Sequence, residues 1–140
     1  METVHGTTVA VDGLGVLLRG PSGSGKSDLA LRLIDEGAAL VADDRSVLLR
    51  DGDTIVARAP DKISGLLEVR GIGVVRVAAQ ATVQLALTVD LGAAAERHPI
   101  PEFATFLGIS IPLLRLDSFE AAAPAKIRLA VRVGPDDIVR

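Results

Sequence analysis

A single stretch near the N-terminus has the residue types and spacing of a phosphate-binding loop. It is Gly20-Pro21-Ser22-Gly23-Ser24-Gly25-Lys26-Ser27, a full match to the pattern G-x-x-x-x-G-K-[ST]. Glycine at such positions lets backbone N–H groups approach phosphate oxygens that a side chain would block. In this pattern Lys26 is placed to reach the β- and γ-phosphates, and the Ser27 hydroxyl to ligate Mg²⁺. The motif predicts a nucleotide-phosphate site; the alternative is a glycine-rich turn that only caps a helix.

The elements on either side of this loop match that prediction. The apolar run Gly15–Leu18 predicts a buried strand before the loop, and residues 26–36 have the apolar periodicity of a helix. Gly37 is a typical residue for the end of that helix. A strand, a glycine-rich loop and a helix in this order direct the helix N-terminus at a bound anion.

Two adjacent carboxylates follow the next predicted strand. Ala38–Ala42 has the composition of a buried strand, and Asp43 and Asp44 come directly after it. The ligand crevice of an open α/β sheet lies outside the carboxyl ends of its strands, so both acids can face a nucleotide there. Phosphoryl transfer needs a carboxylate for Mg²⁺ and often a second group that orients or deprotonates the acceptor. The alternative is a solvated turn that continues into Arg45.

Other candidates are weaker by pattern alone. Glu68 and Arg70 lie two residues apart on a predicted strand and would share one face, where they could serve metal and phosphate or form a surface ion pair. His5 is more often a surface or core histidine than a site residue. Arg128 and Arg132 lie one turn apart on a predicted helix. They could form a solvated face of that helix, or they could contact a phosphate or a partner.

Composition excludes several classes of protein. The net charge of −3 with mixed signs provides no basic surface for nucleic acid, and three Phe without Tyr or Trp are too few for base stacking. No apolar run approaches the roughly 18 residues of a membrane span, and no signal peptide is visible. The absence of Cys excludes disulfides and thiolate metal sites. We therefore expect a soluble cytoplasmic protein that binds neither nucleic acid nor membrane.

The remaining residues predict a strand-rich single domain spanning 1–140. Because the chain contains no Asn, neither a guanine-reading Asn-Lys-x-Asp motif nor an Asn-bearing kinase catalytic loop exists in it. Ile109–Leu116 is predicted as a strand that Pro112 places at a sheet edge. A helix is predicted to begin near Pro124 and to end at Gly134-Pro135, before a frayed tail. Further strands are expected at Thr7–Val11, Ser46–Arg50, Thr54–Arg58, Leu66–Arg70, Val74–Ala78 and Thr82–Asp90.

Taken together, these features resemble the catalytic domain of HPr kinase/phosphorylase over roughly residues 4–76. Four blocks carry the resemblance in family order: His5-Gly6, the loop Gly20–Ser27 followed by an acid, Leu40-Val41-Ala42-Asp43-Asp44, and Leu67-Glu68-Val69-Arg70-Gly71-Ile72-Gly73. The short spacing between loop and acids adds specificity, because most phosphate-loop proteins have a longer chain there. The resemblance implies an α/β phosphate-loop (Walker A) kinase domain, with a strand-rich mixed sheet, a helix after the loop and a C-terminal helical segment.

The resemblance also implies an activity. It is that of an ATP- and Mg²⁺-dependent kinase that phosphorylates a regulatory serine of HPr, the carrier protein of the sugar phosphotransferase system. Members of the family can also run the reverse reaction, in which inorganic phosphate removes the phosphoryl group as pyrophosphate. By the same resemblance, Asp43 would be the acid/base toward the acceptor serine, Arg70 would lie near the transferred group, and His5 would bracket the acidic pair.

The binding roles follow from the resemblance in the same way. Lys26 and the loop backbone would hold phosphates, and Ser27, Asp44 and Glu68 would serve Mg²⁺. Family members are commonly hexameric, which implies a homo-oligomer. The chain begins almost at the catalytic block, so it looks like a short form that lacks the N-terminal domain of fuller members.

One region departs from the family pattern. Fuller members usually carry a Pro-x-x-Pro-Gly-Arg-Asn-like stretch where this chain has Pro112-Leu113-Leu114-Arg115-Leu116-Asp117-Ser118-Phe119. That difference favours one alternative to a protein-serine kinase, a nucleotide-binding sensor that controls a partner without phosphorylating it. A second alternative is a small-molecule kinase that uses the same loop, which would normally need an added substrate lid with clustered Arg or Lys; no such insertion is visible.

Overall fold

The computed structural model describes residues 1–60, 65–92, 96–133 and 137–139. Within these residues the chain alternates short strands and turns around two helices, α1 (Lys26–Asp35) and α2 (Ala123–Arg132). The strands are β1 (Glu2–His5), β2 (Thr7–Val11), β3 (Leu14–Arg19), β4 (Ala39–Ala42), β5 (Arg45–Asp51), β6 (Thr54–Arg58), β7 (Leu66–Val69), β8 (Gly73–Arg76), β9 (Thr82–Leu91), β10 (Glu102–Phe106) and β11 (Ile109–Leu116).

Nine of the strands form one mixed sheet, in the order β1-β5-β6-β9-β3-β2-β4, with β11 beside β9 and β10 outside β11. The central strand β9 runs parallel to both β3 and β11, whereas β6 pairs with it in antiparallel orientation. Strands β7 and β8 form a separate hairpin. The prediction of a strand-rich mixed sheet with two helices is confirmed.

Side chains that alternate in direction along the strands divide the buried apolar residues between two cores, one on each face of the sheet. Val16 and Leu18 of β3 face the helices and pack in one core with Leu29 and Leu33 of α1. Leu17 points to the opposite face, where its core includes residues of β5, β6 and β10. Successive strand side chains point to opposite faces, so one buried strand serves both cores. The sheet edge that carries the Gly20–Ser27 loop is therefore anchored on both sides.

A row of charged side chains crosses the ends of the strands beside the loop. Arg19, the last residue of β3, donates to Asp90 of β9 at 2.8 Å. Arg115 of β11 lies 4.0 Å from the same carboxylate and 3.0 Å from Glu102 of β10. The hydrogen bond from Arg115 lowers the pKa of the Glu102 carboxyl. The row ties the strand that enters the loop to its neighbours.

The C-terminal helix begins as predicted, with Pro124 in its first turn and Ile127 buried in the helix-side core. Its two arginines form ion pairs, Arg128 with Glu36 and Arg132 with Asp12 at 3.3 Å. The predicted stop at Gly134-Pro135 lies outside the described residues, as does much of the tail. Neither described helix has the length and apolar character that crossing a bilayer requires.

Three details of the sheet differ from the sequence-based expectation. Strands β1 and β10 were not predicted, because β1 is four residues long with Val4 as its one apolar residue, and β10 follows a segment with two prolines. The placement of β11 at an edge is wrong, since it lies between β9 and β10. Pro112 is tolerated because it lies in the half of β11 that pairs only with β10, before the pairing with β9 starts at Leu113.

Candidate functional site

The Gly20–Ser27 loop connects β3 to α1 and leaves the start of that helix without a side-chain cap. Gly25 is the N-cap residue, with a φ of 92° that favours glycine. The first intrahelical bond of α1 runs from the Leu29 N–H to the Gly25 carbonyl at 2.9 Å. The N–H groups of residues 26–28 therefore have no partner within the helix. An anion at this end would accept hydrogen bonds from them and favourable charge from the helix dipole.

Two glycines of the loop are required by close contacts as well as by φ. A Cβ on Gly20 would lie 2.5 Å from the Ser24 hydroxyl and 3.0 Å from the Leu91 carbonyl. A Cβ on Gly25 would lie 2.4 Å from the Ser118 hydroxyl. Any larger residue at these two positions would displace the loop.

Lys26 is folded onto the loop that precedes it. Its side chain is buried, and Nζ donates to the Gly20 carbonyl at 2.6 Å and to the Pro21 carbonyl at 3.1 Å. An ammonium group has three donors, so one remains for a further acceptor. The geometry positions a cation inside the concave side of the loop.

Asp43 is held by donors from three parts of the chain. Its Oδ1 accepts from the hydroxyls of Thr7 and Ser27, at 3.1 Å each, and its Oδ2 accepts from the Glu68 backbone N–H at 3.3 Å. The Ser27 contact joins the carboxylate directly to the end of the loop. Asp43 therefore lies where the sequence analysis expected it, at the edge shared by β4 and the loop.

Asp44 points away from Asp43 and pairs with His5. Its φ of 67° is in the left-handed region, which aspartate tolerates better than most residues. Its carboxylate Oδ1 accepts from His5 Nε2 at 2.8 Å, and its backbone N–H donates to the Thr7 hydroxyl at 3.1 Å. Both side chains of the pair are more than half exposed, at 58% for His5 and 66% for Asp44. The two adjacent acids are thus divided between the loop and the surface.

The β7–β8 hairpin brings Glu68 and Arg70 to the same region in different ways. Glu68 contacts Asp43 through its backbone, and its side chain is exposed. Strand β7 ends at Val69, so Arg70 lies in the turn that follows it. The expectation that Glu68 and Arg70 share one face of a strand is therefore wrong. Arg70 is exposed and makes no hydrogen bond or ion pair with the residues that the structure describes.

Comparison with known proteins assigns the chain to a family. The model of the HPr Serine kinase C-terminal domain matches residues 1–98. The chain belongs to this family. It is 51% identical over 77 residues to the HPr kinase/phosphorylase of Lactobacillus delbrueckii subsp. bulgaricus, an alignment that covers 54% of the chain and 24% of that protein. Identity to the HPr kinase/phosphorylase of Bacillus mycoides is 53% over 76 residues, covering 53% of the chain and 24% of the relative.

A solved structure extends the similarity beyond the aligned sequence. The HPr(Ser) kinase/phosphatase from Coxiella burnetii matches with a TM-score of 0.81 at 26% identity, covering 94% of this chain and 89% of that one. The chain spans about a quarter of the length of the curated relatives that it matches. The family relationship therefore rests on sequence and fold together.

The oxygen donors of the site are of the kind that a magnesium–phosphate complex takes. In the part of the chain that the structure describes, no three His, Asp or Glu side chains converge on one metal position. Mg²⁺ keeps several waters and typically takes one or two carboxylates together with substrate phosphates. The Ser27 hydroxyl and the carboxylates of Asp44 and Glu68 are oxygen donors of that kind.

Two residues of this region were missed by sequence reasoning. Thr7 is fully buried and bridges both acids, and Ser118 donates from its hydroxyl to the Ser24 carbonyl of the loop. Thr7 had a weak signal, because it is one of two threonines at the start of a strand whose other three residues are apolar. Ser118 had none, since it is 94 residues from its partner.

Replacing Thr7 by Val is expected to destabilise the protein by about 1–3 kcal/mol, because the Asp44 N–H and the Asp43 carboxylate each lose the buried Thr7 hydroxyl as a hydrogen-bond partner. Equilibrium urea unfolding measures this change, with Thr7→Ser as the matched control that keeps the hydroxyl. A Thr7→Val protein as stable as the wild type would show that the hydroxyl does not hold the acidic pair.

Proposed function

We propose that this chain is an ATP- and Mg²⁺-dependent kinase that phosphorylates a serine of HPr and also catalyses the phosphorolytic reverse reaction. The observation that carries the proposal is the contact between the Asp43 carboxylate and the Ser27 hydroxyl at the end of the Gly20–Ser27 loop. This contact supports the proposal because a carboxylate that could accept a proton then lies beside a loop whose N–H groups and lysine suit phosphates. Membership of the HPr serine kinase C-terminal domain family supports the same activity.

The binding half of the proposal uses the loop and its neighbours. The loop residues Gly20, Pro21, Ser22, Gly23, Ser24 and Gly25 form the backbone cradle, and Lys26 supplies the cation. Ser27, Asp44 and Glu68 are the proposed residues for Mg²⁺. When bound, Mg²⁺ neutralises negative charge on the phosphates of ATP and orients them. The exposed position of Asp44 and of the Glu68 side chain leaves both accessible to a hydrated ion.

The catalytic half centres on the Asp43 carboxylate. In the forward direction it accepts the proton of the acceptor serine hydroxyl, as a general base of this kind does when it lies within hydrogen-bond reach. In reverse, its protonated form returns a proton to the serine oxygen. Arg70 supports the proposal because it is an exposed cation two residues after Glu68 and has no hydrogen-bond or ion-pair partner among the described residues, which leaves its guanidinium available to the transferred group. His5 orients Asp44 through their hydrogen bond.

The partner and the setting follow from the family. The relatives are named HPr kinase/phosphorylase, and we propose HPr as the protein substrate here. A cytoplasmic location and a homo-oligomer, a hexamer by family resemblance, complete the proposal.

The proposed activity is tested by incubating the protein with HPr, ATP and Mg²⁺ and measuring the mass of HPr. We expect the addition of one phosphoryl group, and we expect phosphorylated HPr with inorganic phosphate to yield pyrophosphate. ATP binding without any change in HPr would contradict the kinase and favour a nucleotide-binding sensor. Transfer to a small molecule in place of HPr would favour the small-molecule kinase.

A further inference from the structure

A cavity of about 480 Å³ opens beside the loop on the flank that does not contact Asp43. The loop forms one wall, and the turn between β11 and α2 forms the other. The lining residues are Pro21, Ser22, Gly23, Ser24, Gly92, Asp117, Ser118 and Phe119. Asp43 touches the loop through Ser27, whereas this turn touches it through Ser24 and Gly25.

The chemistry of the lining does not suit another phosphate. Asp117 is the only charged residue among these lining residues, and its carboxylate would repel an anion. Phe119 is 68% exposed, although a phenyl ring gains free energy by leaving water. A Cβ built on Gly25 would lie 3.2 Å from its ring, so the ring stands directly beside the start of α1. The cavity thus offers a flat apolar surface next to the proposed phosphate site.

A buried hydroxyl without a partner also points to a ligand. The side chain of Ser24 is 7% exposed, and its Oγ has no hydrogen-bond partner among the described residues. Buried polar groups are nearly always satisfied by protein, water or ligand. Ser24 is one of the residues that line the same cavity.

The turn that carries Phe119 is fixed before any ligand binds. Asp117 Oδ1 accepts from the Phe119 N–H at 2.9 Å, and the Ser118 hydroxyl donates to the Ser24 carbonyl. The Arg32 guanidinium of α1 donates to the carbonyls of Ser118 and Glu120. These bonds tie the backbone of the turn to the loop and to the helix, so little further ordering of the turn is needed when a ligand binds.

We propose that this cavity receives the nucleoside of ATP and that the Phe119 ring stacks on the nucleobase. The inference rests on the proposed function, because it takes the Gly20–Ser27 loop to hold the phosphates. The triphosphate then lies along the loop toward Ser27 and Asp43, and the uncharged end of the nucleotide lies beside Asp117 and Phe119. Stacking on an aromatic ring does not distinguish one base from another, so we expect ATP and GTP to bind with similar affinity.

The test compares two ligands that differ only in the nucleoside. Calorimetric titration with ATP and with inorganic tripolyphosphate, both with Mg²⁺, is carried out on the wild type and on Phe119→Ala. Removal of the stacking ring is expected to weaken ATP binding by about 5- to 100-fold and to leave tripolyphosphate binding unchanged. Phe119→Tyr is expected to restore ATP affinity. Phe103→Ala removes another exposed phenyl ring, on β10, and is expected to change neither affinity.

The results distinguish failure of the nucleoside site from failure of the proposed function. Unchanged ATP affinity in Phe119→Ala, with tripolyphosphate still bound, would overturn the nucleoside site and leave the phosphate site standing. Equal losses for ATP and tripolyphosphate would also overturn it, because the ring would then be supporting the loop. A wild type that binds neither ligand would overturn the proposed function itself.

Discussion

Replacing Asp43 by Asn is expected to lower the rate of phosphoryl transfer to HPr by about 10²- to 10⁴-fold while nucleotide affinity stays near that of the wild type. An amide has the size and shape of the carboxylate, and its oxygen can still accept from the Thr7 and Ser27 hydroxyls. It cannot accept the proton of the acceptor serine at the pH of the assay. The predicted loss is therefore in the transfer step and not in binding.

Single-turnover transfer and calorimetric ATP binding measure the two quantities separately. Asp53→Asn, in the exposed β5–β6 turn, makes the same chemical change away from the site and is expected to leave both unchanged. An Asp43→Asn protein that transfers phosphate at the wild-type rate would remove Asp43 from the acid/base role.

Replacing Lys26 by Met is expected to weaken the binding of ATP and of tripolyphosphate by about 10- to 100-fold, the value of a charge-assisted hydrogen bond. The side chain is buried, so Met keeps most of its packing and removes the cation together with the donors to the Gly20 and Pro21 carbonyls. The loss should be equal for the two ligands, since both present phosphates to Nζ.

The matched control for the loss of a lysine is Lys126→Met on α2, where Nζ forms an ion pair with Glu120. Calorimetric titration with both ligands is the measurement, and thermal unfolding shows whether each variant is folded. A folded Lys26→Met protein with wild-type affinity for tripolyphosphate would mean that the ammonium does not contact phosphate.

The parts of the site that were predictable from sequence are those made by neighbouring residues. The loop, the strand before it and the helix after it lie in one continuous stretch, and their bounds match the prediction within one residue. Asp43 and Asp44 follow β4 directly, so their place at the sheet edge follows from the strand alone. Because Asp44 adopts a left-handed φ, the two adjacent carboxylates diverge as their proposed division of roles requires.

The parts that were not predictable depend on contacts between distant segments. Thr7 reaches Asp43 across 36 residues, and Ser118 reaches Ser24 across 94. Side-chain pattern cannot reveal such pairs, because they are set by the order of strands in the sheet. The position of His5 was not predictable for the same reason. Strand β1 pairs with β5, which places His5 opposite Arg45, the residue after Asp44.

The proposed nucleoside cavity is another feature that depends on contacts between distant segments. The turn from Asp117 to Phe119 lies beyond residues 1–98, the part of the chain that the family model matches. Its sequence predicts no role in the site, whereas in the structure its Ser118 hydroxyl donates to the Ser24 carbonyl of the Gly20–Ser27 loop. A tertiary contact thus gave a residue of this segment a candidate role that the pattern alone did not suggest.

The central claim is that the loop and Asp43 act together to move a phosphoryl group from ATP to a protein serine. Its most direct test is to incubate the wild type with HPr, Mg²⁺ and ATP labelled in the γ-phosphate, and to map the labelled residue of HPr by mass spectrometry. We predict label on a single serine, and labelling that is about 10²- to 10⁴-fold slower when Asp43→Asn replaces the wild type. ATP bound by the wild type with no labelled serine on HPr would contradict the claim.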